Sequence, residues 1–340
     1  CWQSMSHMAT PRFHAACGVL NGTLYVCGGN NKKGALCSVE RFDPHSGSWK
    51  AAPSMRVARA FASTVVYNGY LYVLGGFFRG RELTGGFLRV STLSCVERFS
   101  AAQQRWDMLP TMASPRAFSV AAAFPSGIVV AGGSISSLPT RTELLEDRVP
   151  QVHAMDLGAC ESLEHDGDAW KVEDPMFEGR FMASATSDEH CLYTCGGTDW
   201  VRMLRSAECF DSRCRRWTRL PPMNKERCGA TAVISNGRLC VAGGCGASVS
   251  HASVETLEPG ADKWDLLANM RRPRYFGAVF LVGNHIYAFG GKDDEQVQRG
   301  CECLNLETGQ WEDLPSMVEP RTGAGVAVLM VSGQHQRADT

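Results

Sequence analysis

Six pairs of adjacent glycines mark out this chain: Gly28-Gly29, Gly75-Gly76, Gly132-Gly133, Gly196-Gly197, Gly243-Gly244 and Gly290-Gly291. Each is preceded by a tryptophan at a distance of 26 residues, as from Trp49 to Gly75 or from Trp217 to Gly243. From a glycine pair to the next tryptophan the interval is 21 residues in four repeats, and 31 and 38 in the second and third. One half of the repeat therefore has fixed length and the other accepts insertions. Length alone, 340 residues, would suggest two domains. An internal period of about 47 residues overrides that count, because each unit must bury its apolar face on its neighbours.

The fixed half repeats an order of residues. After each tryptophan comes a methionine, then an arginine four places on: Arg12, Arg59, Arg116, Arg180, Arg227, Arg274 and Arg321. Short runs of Val, Ala, Gly and Phe follow, such as 60-AFASTVVY-67 and 229-GATAVIS-235. They lack helix caps and read as buried strands. Asn21-Gly22, Asn68-Gly69 and Asn236-Gly237 come next, and Asn-Gly between apolar runs signals a type I′ hairpin. The second strand of each hairpin ends in the glycine pair. The variable half supplies a third strand, read at 38–43, 95–100, 152–157, 206–211, 253–258 and 301–306, and a fourth that begins near each tryptophan.

A four-stranded antiparallel unit cannot bury both faces alone. Stacking units around an axis solves this. Small residues suit the innermost strand, where the units converge, and the indole suits the wide perimeter. Paired glycines suit a backbone that turns with positive φ or runs close to a neighbour. The expected fold is all-β.

This pattern resembles the Kelch repeat. The resemblance rests on the glycine pairs, the tyrosine three residues before the first glycine (Tyr25, Tyr72, Tyr193, Tyr287), the strand-entry arginine and the late tryptophan. It covers nearly the whole chain. Val129 and Cys240 stand in place of the tyrosine in two repeats. The resemblance implies a six-bladed Kelch β-propeller of four-stranded antiparallel blades. The reading treats 1–340 as one propeller domain, with blades over about 12–331 and terminal segments at 1–11 and 332–340. Both ends offer an inner strand for the first blade, at 12–20 and 321–331. The alternative is a seven-bladed parent whose missing middle strands lie before Cys1.

Net charge is −1, with 34 basic and 35 acidic residues, so no global field steers the chain to nucleic acid or to an acidic membrane. No apolar run approaches a membrane span. Fifteen cysteines, an odd number with many inside strands, read as reduced thiols and point to cytosol or nucleus. No Gly-Lys-Ser/Thr follows a glycine pair, and no His-Glu-x-x-His or Cys-x-x-Cys appears. The reading is therefore non-enzymatic, with no catalytic residue, metal or cofactor. Cys191 with Cys195 and Cys301 with Cys303 have same-face strand spacing, read as inter-blade packing.

A rigid ring presents loops, and loops carry binding. The link 77-FFRGRELTGGFLRVSTLS-94 holds Phe77, Phe78 and Arg79, a composition typical of interfaces. The third repeat carries a longer insertion, 134–151, and an acidic segment, 160–168, read as a solvated loop. By repeat symmetry the strand-entry arginines would ring one mouth of the channel, where a planar fork of donors suits carboxylates. BTB–Kelch adaptors of cullin ubiquitin ligases, which this chain resembles, hold acidic peptides with arginines at this step and serines at the start of the third strand. The corresponding serines are Ser38, Ser206 and Ser253, with Cys95, Gln151 and Gly300 in the other blades. The resemblance implies a protein or peptide partner, acidic in character, and recruitment to a cullin ligase through a domain absent from this sequence. A cytoskeletal or signalling scaffold and a carbohydrate-active or copper oxidase-like enzyme are the alternatives.

Overall fold

A computed structural model describes residues 5–81, 88–133, 156–165 and 167–323. Six antiparallel sheets of four strands follow one another along the chain. The first consists of Ala16–Leu20, Thr23–Cys27, Val39–Asp43 and Ser48–Ala52. The others repeat its order, with inner strands at Ser63–Tyr67, Val120–Phe124, Ser184–Ser187, Thr231–Ser235 and Ala278–Val282. Successive inner strands lie side by side from the first sheet to the sixth. The protein is a six-bladed propeller whose blades converge on Ala, Ser and Gly.

The hairpins form as the dipeptides require. Asn21 and Gly22 have φ of 51° and 71°, and Asn68 and Asn236 with their glycines match them. Positive φ at both central residues is the type I′ turn, whose twist matches that of the strands. The glycine pairs solve a different problem. Gly28 and Gly29 have φ of 62° and 91°. A Cβ on Gly28 would stand 2.3 Å from the carbonyl oxygen of Arg59 in the next blade, and one on Gly29 would stand 2.8 Å from that of Phe13. The Gly29 N–H donates to the Arg59 carbonyl at 2.8 Å. The pair is the joint where one blade's backbone is hydrogen-bonded to the next.

The tryptophans close the perimeter. Trp106, Trp217, Trp264 and Trp311 are buried. The Trp106 and Trp264 indoles donate across the inter-blade gap to the carbonyls of Pro53 and Pro221, at 2.8 and 2.7 Å. Trp264→Phe should keep most of the packing but orphan the Pro221 carbonyl. About 1–2 kcal/mol of stability should be lost, read as a lower urea midpoint.

Two expectations change. In the third blade the third strand is Cys160–Glu164, not 152–157, so the acidic segment taken as a solvated loop is largely a blade strand. Its register is fixed by Glu161, which must meet Arg116 (below), and Ala159 rather than Gln151 holds the pre-strand position. The link after Gly76 is a hairpin extension, Phe77–Arg81 paired with Leu88–Thr92. At the ends of the described chain the two termini meet at the hub. Ala16–Leu20 is its inner strand, and Gly323 abuts His14: a Cβ there would lie 3.0 Å from the imidazole. Arg321–Gly323 thus forms a seventh step at the hub. The remainder of the proposed 321–331 strand, Trp2, and the 134–151 insertion lie outside the described residues.

Candidate binding face

The strand-entry arginines lead into the blades. Arg59, Arg116, Arg180, Arg227 and Arg274 are at most 2% exposed, and the Arg12 side chain is 1% exposed. Each is paired with a glutamate on the third strand of its own blade: Arg12 with Glu40, Arg59 with Glu97, Arg116 with Glu161, Arg180 with Glu208, Arg227 with Glu255 and Arg274 with Glu302. The Arg227–Glu255 contact is 2.8 Å with both side chains fully buried. The other guanidinium arm donates to two carbonyls, those of Gly243 and Ser253 for Arg227. The carboxylate also accepts the backbone N–H groups of Asn224 and Lys225, just after the repeat's methionine, at 2.6 and 3.1 Å. One ion pair thus ties the third strand, the glycine joint and the entry turn of the same blade's inner strand.

Ser38, Ser206 and Ser253 do meet the arginines. Their hydroxyls accept from Arg12, Arg180 and Arg227 at 3.1, 3.0 and 2.7 Å, and the Cys95 sulfur stands in for them beside Arg59. The expected residues are brought together, but as an internal network rather than an open fork. Assigned from sequence to partner contact, these six arginines are placed by geometry in the blade frame. Arg321 alone is exposed, with no carboxylate partner among the described residues. Phe77 folds onto its blade at 4% exposure and Phe78 is half-buried. The described features of Arg79 are those of its backbone, in the hairpin extension.

What faces the channel mouth is the residue two places after each arginine. His14, Phe61, Phe118, Met182, Gly229, Phe276 and Gly323 all have φ between 50° and 62°. Their backbones link in two runs about the axis: Phe61 N–H to His14 O and Phe118 N–H to Phe61 O, then Gly229 N–H to Met182 O, Phe276 N–H to Gly229 O and Gly323 N–H to Phe276 O. The side chains form a collar. His14 stacks on Phe61 with ring centroids 4.0 Å apart, and Phe61 packs on Phe118 at 4.1 Å. Phe118 meets Phe181, which packs on Trp200, and Tyr275 stands edge-on to Phe276. Below it opens a cavity of about 490 Å³, lined by His14, Phe61, Phe118, Phe276 and the small residues of the inner strands. Burial lowers the His14 pKa, favouring the neutral imidazole.

Burial pushes the Cys160 and Cys195 thiols up to about 12. Among the described residues no group of three or more His, Cys, Asp and Glu side chains is placed to hold a metal, and no helix is long and apolar enough to cross a membrane.

The family model described as the KLHDC2/KLHL20/DRC7 Kelch-repeats domain matches residues 14–244, and the Kelch motif matches 226–271 and 273–318. The chain belongs to the Kelch-repeat family. It is similar to Kelch-like protein 26 of Danio rerio, 28% identical over 58% of this chain and 29% of that one. Kelch-like protein 36 of Rattus norvegicus is 23% identical over 72% of this chain and 37% of its own length. Alpha-scruin of Limulus polyphemus is 27% identical over 44% of this chain. The Kelch propeller described here thus spans about a third of the length of the Kelch-like proteins it matches. A solved structure titled "Structure of YjhT" superposes with a TM-score of 0.69 at 16% identity, covering 92% of this chain and 99% of that one, a likeness of fold.

Proposed function

We propose that this Kelch propeller is a protein-recognition module that holds its partner at the aromatic collar. The observation that carries the reading is the strained backbone of the collar. A left-handed φ costs a residue with a Cβ about 1–2 kcal/mol, yet Phe61, Phe118 and Phe276 adopt it. Hub closure does not demand an aromatic there, since Gly229 and Gly323 make the same step. Backbone strain retained at bulky residues on a mouth supports a contact role. Half-buried stacked rings over an open cavity suit an apolar or aromatic segment of a partner protein. The arginine forks on which an acidic preference would rest are engaged inside the blades.

The finer role is substrate recognition for a cullin-based ubiquitin ligase in the cytosol or nucleus. It is supported by the resemblance to BTB–Kelch adaptors, and the contact with the cullin would fall outside the propeller.

Phe61→Gly combined with Phe118→Gly tests the site. Glycine tolerates the left-handed step, so the ring should stay folded with its thermal midpoint within a few degrees. Partner capture in an affinity pull-down should fall at least tenfold, the loss expected of about 1.4 kcal/mol or more. Undiminished capture would remove the collar from the interface. Captured partners whose cellular levels do not change on depletion of the protein would remove the ligase role and leave recognition standing.

A further inference from the structure

Cys228 and Cys245 stand directly opposite one another in an isolated antiparallel bridge. The two backbones exchange both hydrogen bonds at 2.9 Å. A pair of that kind has Cα atoms about 5.5 Å apart with side chains on one face, inside the span of about 4.4–6.8 Å that a disulfide bridges. Every other described cysteine on a paired strand faces a different residue type, as Cys191 faces Asp211 and Cys240 faces Val233 and Thr256. The repeat makes the pairing pointed. The same bridge joins Phe13 to Asn30, Ala60 to Phe77, Phe181 to Thr198 and Tyr275 to Lys292. Nothing in the joint therefore calls for small thiols on both sides.

We propose that Cys228 and Cys245 form a reversible disulfide beside the hub, a thiol pair oxidised by peroxide. The inference stands on this bridge and is independent of the collar's role. Cys245 is half-buried and Cys228 is 5% exposed, so Cys245 meets the oxidant first. The Cys245 thiol donates to the Cys228 carbonyl at 3.5 Å. The neighbouring thiol lowers the Cys245 pKa and, with burial, raises that of Cys228. A thiolate is the attacking form.

The Cys245 sulfur attacks one peroxide oxygen. The O–O bond breaks, a sulfenic S–OH forms, and hydroxide leaves to take up the proton released when the thiol ionised. The Cys228 sulfur then displaces the second hydroxide, forming the S–S bond, and its own proton leaves with that hydroxide as water. Two thiols and one peroxide give one disulfide and two waters. The cross-link ties the entry turn next to hub residue Gly229 to the loop that follows Gly244.

The test is peroxide treatment of the folded chain, alkylation and peptide mapping without reductant. A peptide linking Cys228 to Cys245 should form at least ten times faster than any other cross-link and disappear with dithiothreitol. It should lose that advantage in the urea-unfolded chain. Cys228→Ala should leave Cys245 trapped by dimedone as the sulfenic acid. If Cys191 and Cys209 cross-link first, if Cys245 goes to the sulfinic acid with Cys228 intact, or if unfolded and folded chains link equally fast, the proposal fails.

Discussion

Glu255→Ala should destabilise the propeller by about 3–5 kcal/mol, the cost of breaking a buried ion pair from one side. The mutation strands the Arg227 guanidinium at 0% exposure. It also removes the acceptor shared by the Asn224 and Lys225 N–H groups. Arg227→Glu should do at least as much harm, because it buries a second carboxylate against the first. Arg321→Glu is the control. It changes the same repeat position, but this arginine is exposed, and surface substitutions of that kind stay within about 0.5 kcal/mol. Urea midpoints of the three variants check the set. Should Arg227→Glu abolish partner capture while keeping the wild-type midpoint, the arginines would be contact residues after all and the internal assignment would be lost.

Much of the ring was legible from spacing. The tryptophan-to-glycine ruler, the Asn-Gly hairpins and the small residues of the inner strands each reflect a local demand of backbone geometry or space, and local demands leave marks at fixed positions. The buried glutamates were missed for the opposite reason. Arg12 and Glu40 meet only because the sheet folds them together, and a charged residue in 38-SVERFD-43 reads on its own as a solvent-facing side chain. A signal was present. The glutamate follows its arginine by 28 residues in four blades, and by 38 and 45 in the blades with insertions. The same signal would have put the third blade's strand at Cys160–Glu164. The collar was harder to read: the strand-entry arginines marked the mouth, but nothing in the sequence separates His14 from Phe13, or Phe276 from Tyr275, as the side chain that reaches it. One residue along the chain decides which side chain turns to the axis, and that turn depends on a positive φ that His and Phe do not announce as Gly and Asn do.

Gly75→Ala should be among the most damaging single-methyl additions in the molecule, at about 3 kcal/mol or more. Two costs combine. Alanine must adopt φ of +61°, and its Cβ would fall 2.3 Å from the Arg116 carbonyl oxygen, which is backbone and cannot rotate away. Any shift that relieves the clash also pulls on the Gly76 N–H bond to that same carbonyl and on the Arg59 contact to the Gly75 oxygen. Gly69→Ala separates the two costs. Gly69 has φ of +74° but nothing within 4 Å of a new Cβ, so only the strain of about 1 kcal/mol should be felt. A urea midpoint that falls equally for both variants would mean that φ alone governs the glycine pairs. A fall at least twofold larger for Gly75→Ala would show that closeness between blades is what writes two glycines into every repeat.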